Sequence, residues 1–206
     1  MTRLKIGRRG LLALAGWSLT GLGLASPRAA PRKPRVTIQT DQGVIVVELE
    51  IERAPITAGN FLRYVEAGKY DGGDFYRASR AKGVKGAGSI QGGPPARARR
   101  YGPIAHESTR MTGLRHRAGT ISLARNGPGS ATADFFICAS PAPYLDAHPG
   151  APGDNQGFAA FGTVVEGLDI VKKILALRAD GPAPYPAMKG QMLNPPVRIT
   201  RMSRAG

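Results

Sequence analysis

The chain has 206 residues, with 29 Lys and Arg against 14 Asp and Glu for a formal charge of +15, a 42% hydrophobic share and one cysteine. A single cysteine excludes a disulfide framework and a cysteine-based zinc site, and three scattered histidines offer no metal-ligand spacing. The ordinary hydrophobic share excludes a disordered polybasic tail and fits one domain around one core, while the charge raises the question of a polyanion partner.

The amino terminus carries Arg3, Lys5, Arg8 and Arg9 with no acid, and residues 11–24 form an apolar run interrupted only by Gly, Ser and Thr. That pattern predicts an export signal over residues 1–30. The run is too short and too rich in glycine for a membrane span, which needs about 20 apolar residues. Arg8-Arg9 followed by Gly10-Leu11-Leu12 is similar to a twin-arginine signal. Cleavage is expected near Ala25 or Ala30, which places the mature protein in the periplasm or otherwise outside the cytoplasm, with no stable membrane span. Five of the 29 basic residues and none of the 14 acids lie in residues 1–30, so the mature chain holds 24 against 14, a net +10. Residues 31–34 read as a short flexible lead-in, and residues 35–206 as the folded domain.

Within that domain, residues 36–40 and 44–51 alternate as β-branched strands around Asp41-Gln42-Gly43, which predicts a hairpin. A helix follows over residues 56–67, with Pro55 in its first turn and Gly68 at its end. Further strands are expected at 75–77, 89–91, 119–124, 134–139, 158–165 and 196–202. A second helix fits 168–177, with Asp169 near its start and Lys172, Lys173 and Arg178 near its end, as the helix dipole favours. Segments 80–88, 94–117 and 141–157 are dense in Gly, Pro and Arg and read as long loops of the kind that carry function. Eight short strands and two helices predict an all-β barrel or sandwich.

Phe135 and Phe136 are adjacent on one strand and so face opposite ways. One belongs to the core and the other to the outer surface, and alternation alone does not choose. Cys138 is expected to be a buried free thiol. His106, His116 and His148 are expected to be solvated loop residues. Arg97, Arg99 and Arg100 beside Tyr101, with Arg110, Arg115 and Arg117, read as a solvated basic loop, so no specific nucleic-acid partner is expected. Residues 83–93 are glycine-rich, but no phosphate-binding pattern follows them.

Phe75-Tyr-Arg77, Ile90-Gln-Gly-Gly93, Gly119-Thr-Ile-Ser-Leu-Ala-Arg125, Ser130-Ala-Thr-Ala-Asp-Phe-Phe-Ile137 and Phe158-Ala-Ala-Phe-Gly162 occur in this order. Together they resemble the cyclophilin-type peptidyl-prolyl cis-trans isomerases over residues 36–202. The resemblance implies a closed eight-stranded antiparallel barrel capped by two α-helices, working as a monomer without metal or cofactor. It implies Arg77 as the principal catalytic residue and Gln91 as its catalytic companion. It also implies that Phe75, Ala124, Arg125, Phe136, Tyr144, Leu145 and Phe158 bind substrate, the partners being proline-containing peptides and unfolded protein clients. A peptide-binding or chaperone module of the same fold, with weak or no isomerase activity, is the alternative. The chain departs from the family's usual pattern in a longer Arg77-to-Gln91 span, with Gly88 and Ser89 where apolar residues precede the glutamine. Further departures are Tyr144 in place of tryptophan, Phe158 in place of histidine and Asp134 in place of glutamine.

The implied chemistry suits these residue types. Rotation about an Xaa-Pro amide breaks resonance against a barrier of about 18–20 kcal/mol and relaxes over tens to hundreds of seconds. The twisted amide has lost its charge separation and gained a lone pair on nitrogen. An apolar pocket favours that state, and a rigid cationic donor such as Arg77 can bind the lone pair. A thousandfold acceleration requires only ~4 kcal/mol, which one charged hydrogen bond plus desolvation supplies.

Overall fold

The structure, a computed structural model, describes residues 1–2 and 33–205, so the expected export signal lies outside the described residues except for its first two. Strand β1 (Arg35–Thr40) turns at Asp41-Gln42 into β2 (Gly43–Leu49), as the alternation predicts. Val36 and Ile38 on β1 and Ile45, Val47 and Leu49 on β2 are wholly buried, while Thr37, Gln39, Val44 and Glu48 face outward. Helix α1 (Pro55–Glu66) follows, then β3 (Asp74–Arg80), β4 (Gly88–Gly93), the one-turn helix α2 (Thr109–Thr112), β5 (Thr120–Leu123), β6 (Phe135–Cys138), β7 (Ala159–Glu166), α3 (Leu168–Ala176) and β8 (Met192–Ala205). The strands close a barrel in the order β1-β2-β7-β5-β6-β4-β3-β8, with every neighbouring pair antiparallel. Closure removes the free sheet edges that an open sheet would leave.

The two long helices complete the core. Helix α1 buries Ala58, Phe61, Tyr64 and Val65, and the Phe61 ring lies 5.3, 5.5 and 5.1 Å from those of Tyr70, Phe135 and Phe161. Helix α3 buries Val171, Ile174 and Leu175 against β2, β3 and β4. The last strand is longer than expected. Pro195-Pro196 argues against a ladder, but the prolines sit where the β3–β8 register jumps from Arg77↔Met192 to Phe75↔Val197, so pairing resumes on either side of them.

The start of α1 has no local side-chain cap, because Ala54 stands at the N-cap. Glu107 fills the role from fifty residues away. Its buried carboxylate accepts from the Ile56 and Thr57 backbone N–H groups at 3.1 and 2.7 Å and from the Thr57 hydroxyl at 2.6 Å. A negative group at a helix N-terminus also meets the favourable end of the dipole. Glu107→Gln, which keeps the shape but removes the charge, is expected to lower stability by about 1–2 kcal/mol in denaturant unfolding. A midpoint equal to wild type would show the cap to be idle.

Candidate active site

The site is built on the outer face of β3, β4 and β6. On β3, Phe75 pairs with Gly92 and Arg77 with Gln91, so Tyr76 is an extra residue and the strand bulges there. A bulge breaks the in-out alternation. Phe75 therefore points into the core, while Tyr76 and Arg77 are both half-buried beside Gln91. The Gln91 amide is held at both ends: Oε1 accepts from Arg77 Nη1 at 2.8 Å, and Nε2 donates to the Tyr76 hydroxyl at 2.8 Å. That hydroxyl donates to Asp134 Oδ1 at 3.2 Å, and Asp134 pairs with Arg100. A Cβ at Gly93 would run into the Asp134 carboxylate, so a side chain there would push Asp134 away from Tyr76.

Arg77 is gripped on its other edge by Gln191, whose Oε1 accepts from Nε at 2.9 Å and Nη2 at 2.7 Å. Three of its five N–H donors are thus engaged, which leaves one on each terminal nitrogen. No carboxylate lies within salt-bridge distance of it among the described residues. Burial lowers its pKa from the ordinary value, yet a guanidinium remains charged at neutral pH.

Beside this polar array lies an apolar floor. Phe136, Cys138 and Ala142 form a small buried cluster apart from the main core, and Ala124, Leu145 and Phe158 pack on it. The Phe136 and Phe158 rings meet edge to face at 5.3 Å. Arg125 lies over Phe158 at 5.1 Å and holds the rim: its Nη atoms form a bidentate pair with Asp154 at 2.9 and 2.8 Å, and its Nε donates to the Gly157 carbonyl at 2.9 Å. The Arg125 hydrogen bonds lower the Asp154 pKa to about 2. Arg77, Gln91, Ala124, Arg125, Phe136, Tyr144, Leu145 and Phe158 all line one open cavity of about 480 Å³.

Beneath the floor, His116 stacks on Phe136 with centroids 5.9 Å apart and planes 14° from parallel. Its Nδ1 lies 2.8 Å from Asp146 Oδ1 and its Nε2 3.0 Å from Ser122 Oγ, all three residues being buried. The set has the composition of a hydrolytic triad, but Ser122 is fully buried and no substrate reaches it. Burial lowers the His116 pKa from the ordinary 6.5, outweighing the attraction of Asp146. The unfolded chain then takes up a proton near pH 6.5 while the folded one resists, so stability falls as the pH drops through 6.5. His106 shifts in the same direction through burial. Thermal melts between pH 7 and pH 5 are expected to fall for wild type and to fall less steeply for His116→Asn; equal slopes would contradict this.

Several expectations require correction. Phe75 does not line the cavity with the other residues expected to bind substrate: it is wholly buried in the core, 5.6 Å from the Phe135 ring. His116 is not a solvated loop residue, since the loop before β5 folds back over Asp146. Arg100 is not simply solvated, being paired with Asp134, and Tyr101 packs edge to face on Tyr64 at 4.7 Å, with Arg63 and Lys69 over its ring. Of the two adjacent phenylalanines, Phe135 lies in the main core and Phe136 in the cavity. Cys138 is a free thiol, fully buried, its pKa pushed up to about 12 by desolvation, and hence inert. None of Tyr76, His116, Ser122 and Gln191 is among the expected site residues. Tyr76 and Ser122 lie inside the ordered motif segments, whereas nothing local to His116 or Gln191 points to the site.

A family model described as cyclophilin type peptidyl-prolyl cis-trans isomerase/CLD matches residues 35–204. The chain is 37% identical over 145 residues to peptidyl-prolyl cis-trans isomerase cyp18 of Streptomyces antibioticus, covering 69% of this chain and 84% of that one. It is 35% identical over 140 residues to peptidyl-prolyl cis-trans isomerase B of Escherichia coli, covering 68% and 82%. Among solved structures it is similar to a Cryptosporidium parvum cyclophilin-type isomerase, with a TM-score of 0.62, 21% identity and coverage of 84% of this chain and 98% of that one. A second crystal structure of that protein, in the presence of the dipeptide Ala-Pro, matches with a TM-score of 0.60.

Proposed function

We propose that this chain, which belongs to the cyclophilin-type peptidyl-prolyl cis-trans isomerases, speeds Xaa-Pro rotation in proteins folding outside the cytoplasm, with Arg77 as the group that stabilises the twisted amide. The observation that carries the reading is the guanidinium of Arg77. It is fixed by two neutral glutamine oxygens, keeps two N–H donors unspent and shares one cavity with the apolar floor of Phe136, Leu145 and Phe158.

The floor would take the pyrrolidine ring while the chain before it rotates. In the planar ground state the prolyl nitrogen offers no lone pair, so Arg77 gains its hydrogen bond chiefly as the amide twists. An interaction that strengthens along the reaction lowers the barrier rather than merely tightening binding. The donor is already oriented, so little reorganisation is left for the transition state. No bond to the protein forms or breaks. That the Cryptosporidium structure was obtained in the presence of Ala-Pro supports prolyl peptides as the ligands of this groove.

The export reading rests on residues 1–30 and the charge pattern they carry. Two measurements test the proposal. The protein lacking residues 1–30 is expected to shorten the relaxation of a cis-prolyl peptide in proportion to its concentration; binding without acceleration would instead fit a peptide-binding module. Fractionation of cells expressing the full chain is expected to recover an exported form beginning near residue 26 or 31. An uncut cytoplasmic chain would overturn the export reading.

A further inference from the structure

Gln191 lies 114 residues from Arg77 and belongs to none of the segments that carry the family resemblance. It immediately precedes β8, where Met192 is the register partner of Arg77. Its main chain is fixed on both sides: its carbonyl accepts from the Ala78 N–H at 2.8 Å, and its N–H donates to the Met188 carbonyl at 3.0 Å. Its side chain is fixed as well. Nε2 donates to the Ala187 carbonyl at 2.9 Å, so Oε1 is the atom that faces Arg77. A single oxygen then accepts from both Nε and Nη2 of the guanidinium.

We infer that Gln191 is a positioning residue for the isomerisation: it sets the plane of the Arg77 guanidinium without neutralising it. The inference rests on the proposed role of Arg77. Gln91 holds Nη1 and Gln191 holds Nε and Nη2, so the fork is fixed from two directions and its rotamer freedom is spent before substrate arrives. The choice of an amide matters. A carboxylate of the same shape would make an ion pair through that oxygen and draw the positive charge away from the prolyl nitrogen. The turn that holds Gln191 also contributes Met188 to the cavity wall, so the clamp and the groove belong to one piece of chain.

Gln191→Ala and Gln191→Glu separate the two halves of the inference. Gln191→Ala is expected to lower kcat by about tenfold with KM within about twofold of wild type, as loss of orientation predicts. Gln191→Glu is expected to lose more at neutral pH and to recover as the pH is lowered and its carboxyl becomes neutral. The Arg77 Nε–H resonance, read by NMR on the peptide-free protein, is expected to shift in both variants. The inference is overturned if Gln191→Ala turns over within twofold of wild type, if Gln191→Glu shows no recovery on acidification, or if the resonance does not move. Gln191→Glu, nearly identical in shape, keeps the test intact should the alanine variant fold poorly. Inactivity of the wild-type protein would instead sink the proposed function, and the resonance would still report on the clamp.

Discussion

Arg77→Ala is expected to lower kcat/KM for a prolyl peptide by about 10²- to 10³-fold while leaving the unfolding transition close to that of wild type. Removing one oriented donor from a developing charge typically costs about 2.7–4 kcal/mol of transition-state stabilisation, which is that range of rates. The fold tolerates the loss because Arg77 faces outward from β3. Its partners, Gln91 and Gln191, are only partly buried and can turn to water. Arg77→Lys should rescue little. An ammonium keeps the charge, but it has no planar fork with which to satisfy both glutamines and still reach the amide. A lysine variant with near wild-type turnover would show that charge alone suffices and that the clamp is irrelevant.

The largest effect on stability is expected from the residue next to one of the largest effects on binding. Phe135→Ala should cost about 3–5 kcal/mol, because its ring fills the core between Phe61, Tyr70 and Phe75 at centroid distances of 5.5, 5.5 and 5.6 Å. Phe136→Ala opens a surface cavity instead, where water can replace the lost ring, and should cost about 1–2 kcal/mol. Its main effect should be a raised KM for prolyl peptides, since Phe136 joins Leu145 and Phe158 in the floor. Denaturant midpoints and peptide kinetics of the two variants check the contrast. Equal destabilisation, or loss of peptide binding with Phe135→Ala alone, would mean that the two faces of β6 are exchanged.

The contrast shows what could be read from the residues alone. The first hairpin was legible because its β-branched residues alternate cleanly around an Asp-x-Gly turn. Strand β6 was legible as a strand, but two adjacent phenylalanines satisfy either orientation, and only the ordered motifs assigned Phe136 to the groove. The same motifs misplaced Phe75, whose inward direction depends on the bulge at Tyr76, a local irregularity with no pattern of its own. The start of β8 was hidden by Pro195-Pro196, which the barrel accommodates by skipping pairing. The contacts that orient the site were hidden more deeply. Gln191 reaches Arg77 across 114 residues through the pairing of β3 with β8, and Asp146 reaches His116 across 30 through the packing of two loops, neither of which sequence spacing reveals. Glu107 caps α1 on the same terms, across 50 residues.

The net charge is also redistributed by the fold. Arg35, Arg100 and Arg125 are paired with Glu48, Asp134 and Asp154, and Arg63 and Lys69 cover Tyr101. Arg77 differs from them in kind: neutral oxygens hold it, and its charge stays available.

Exchange spectroscopy on a prolyl peptide at equilibrium tests that claim most directly, because it reports the cis-trans rate of bound peptide and the affinity in one experiment. Arg77→Ala is predicted to bind the peptide within a few-fold of wild type and to exchange its isomers at least 100-fold more slowly, as loss of a transition-state interaction requires. Undiminished exchange, or a rate that falls only as much as the affinity does, would contradict it.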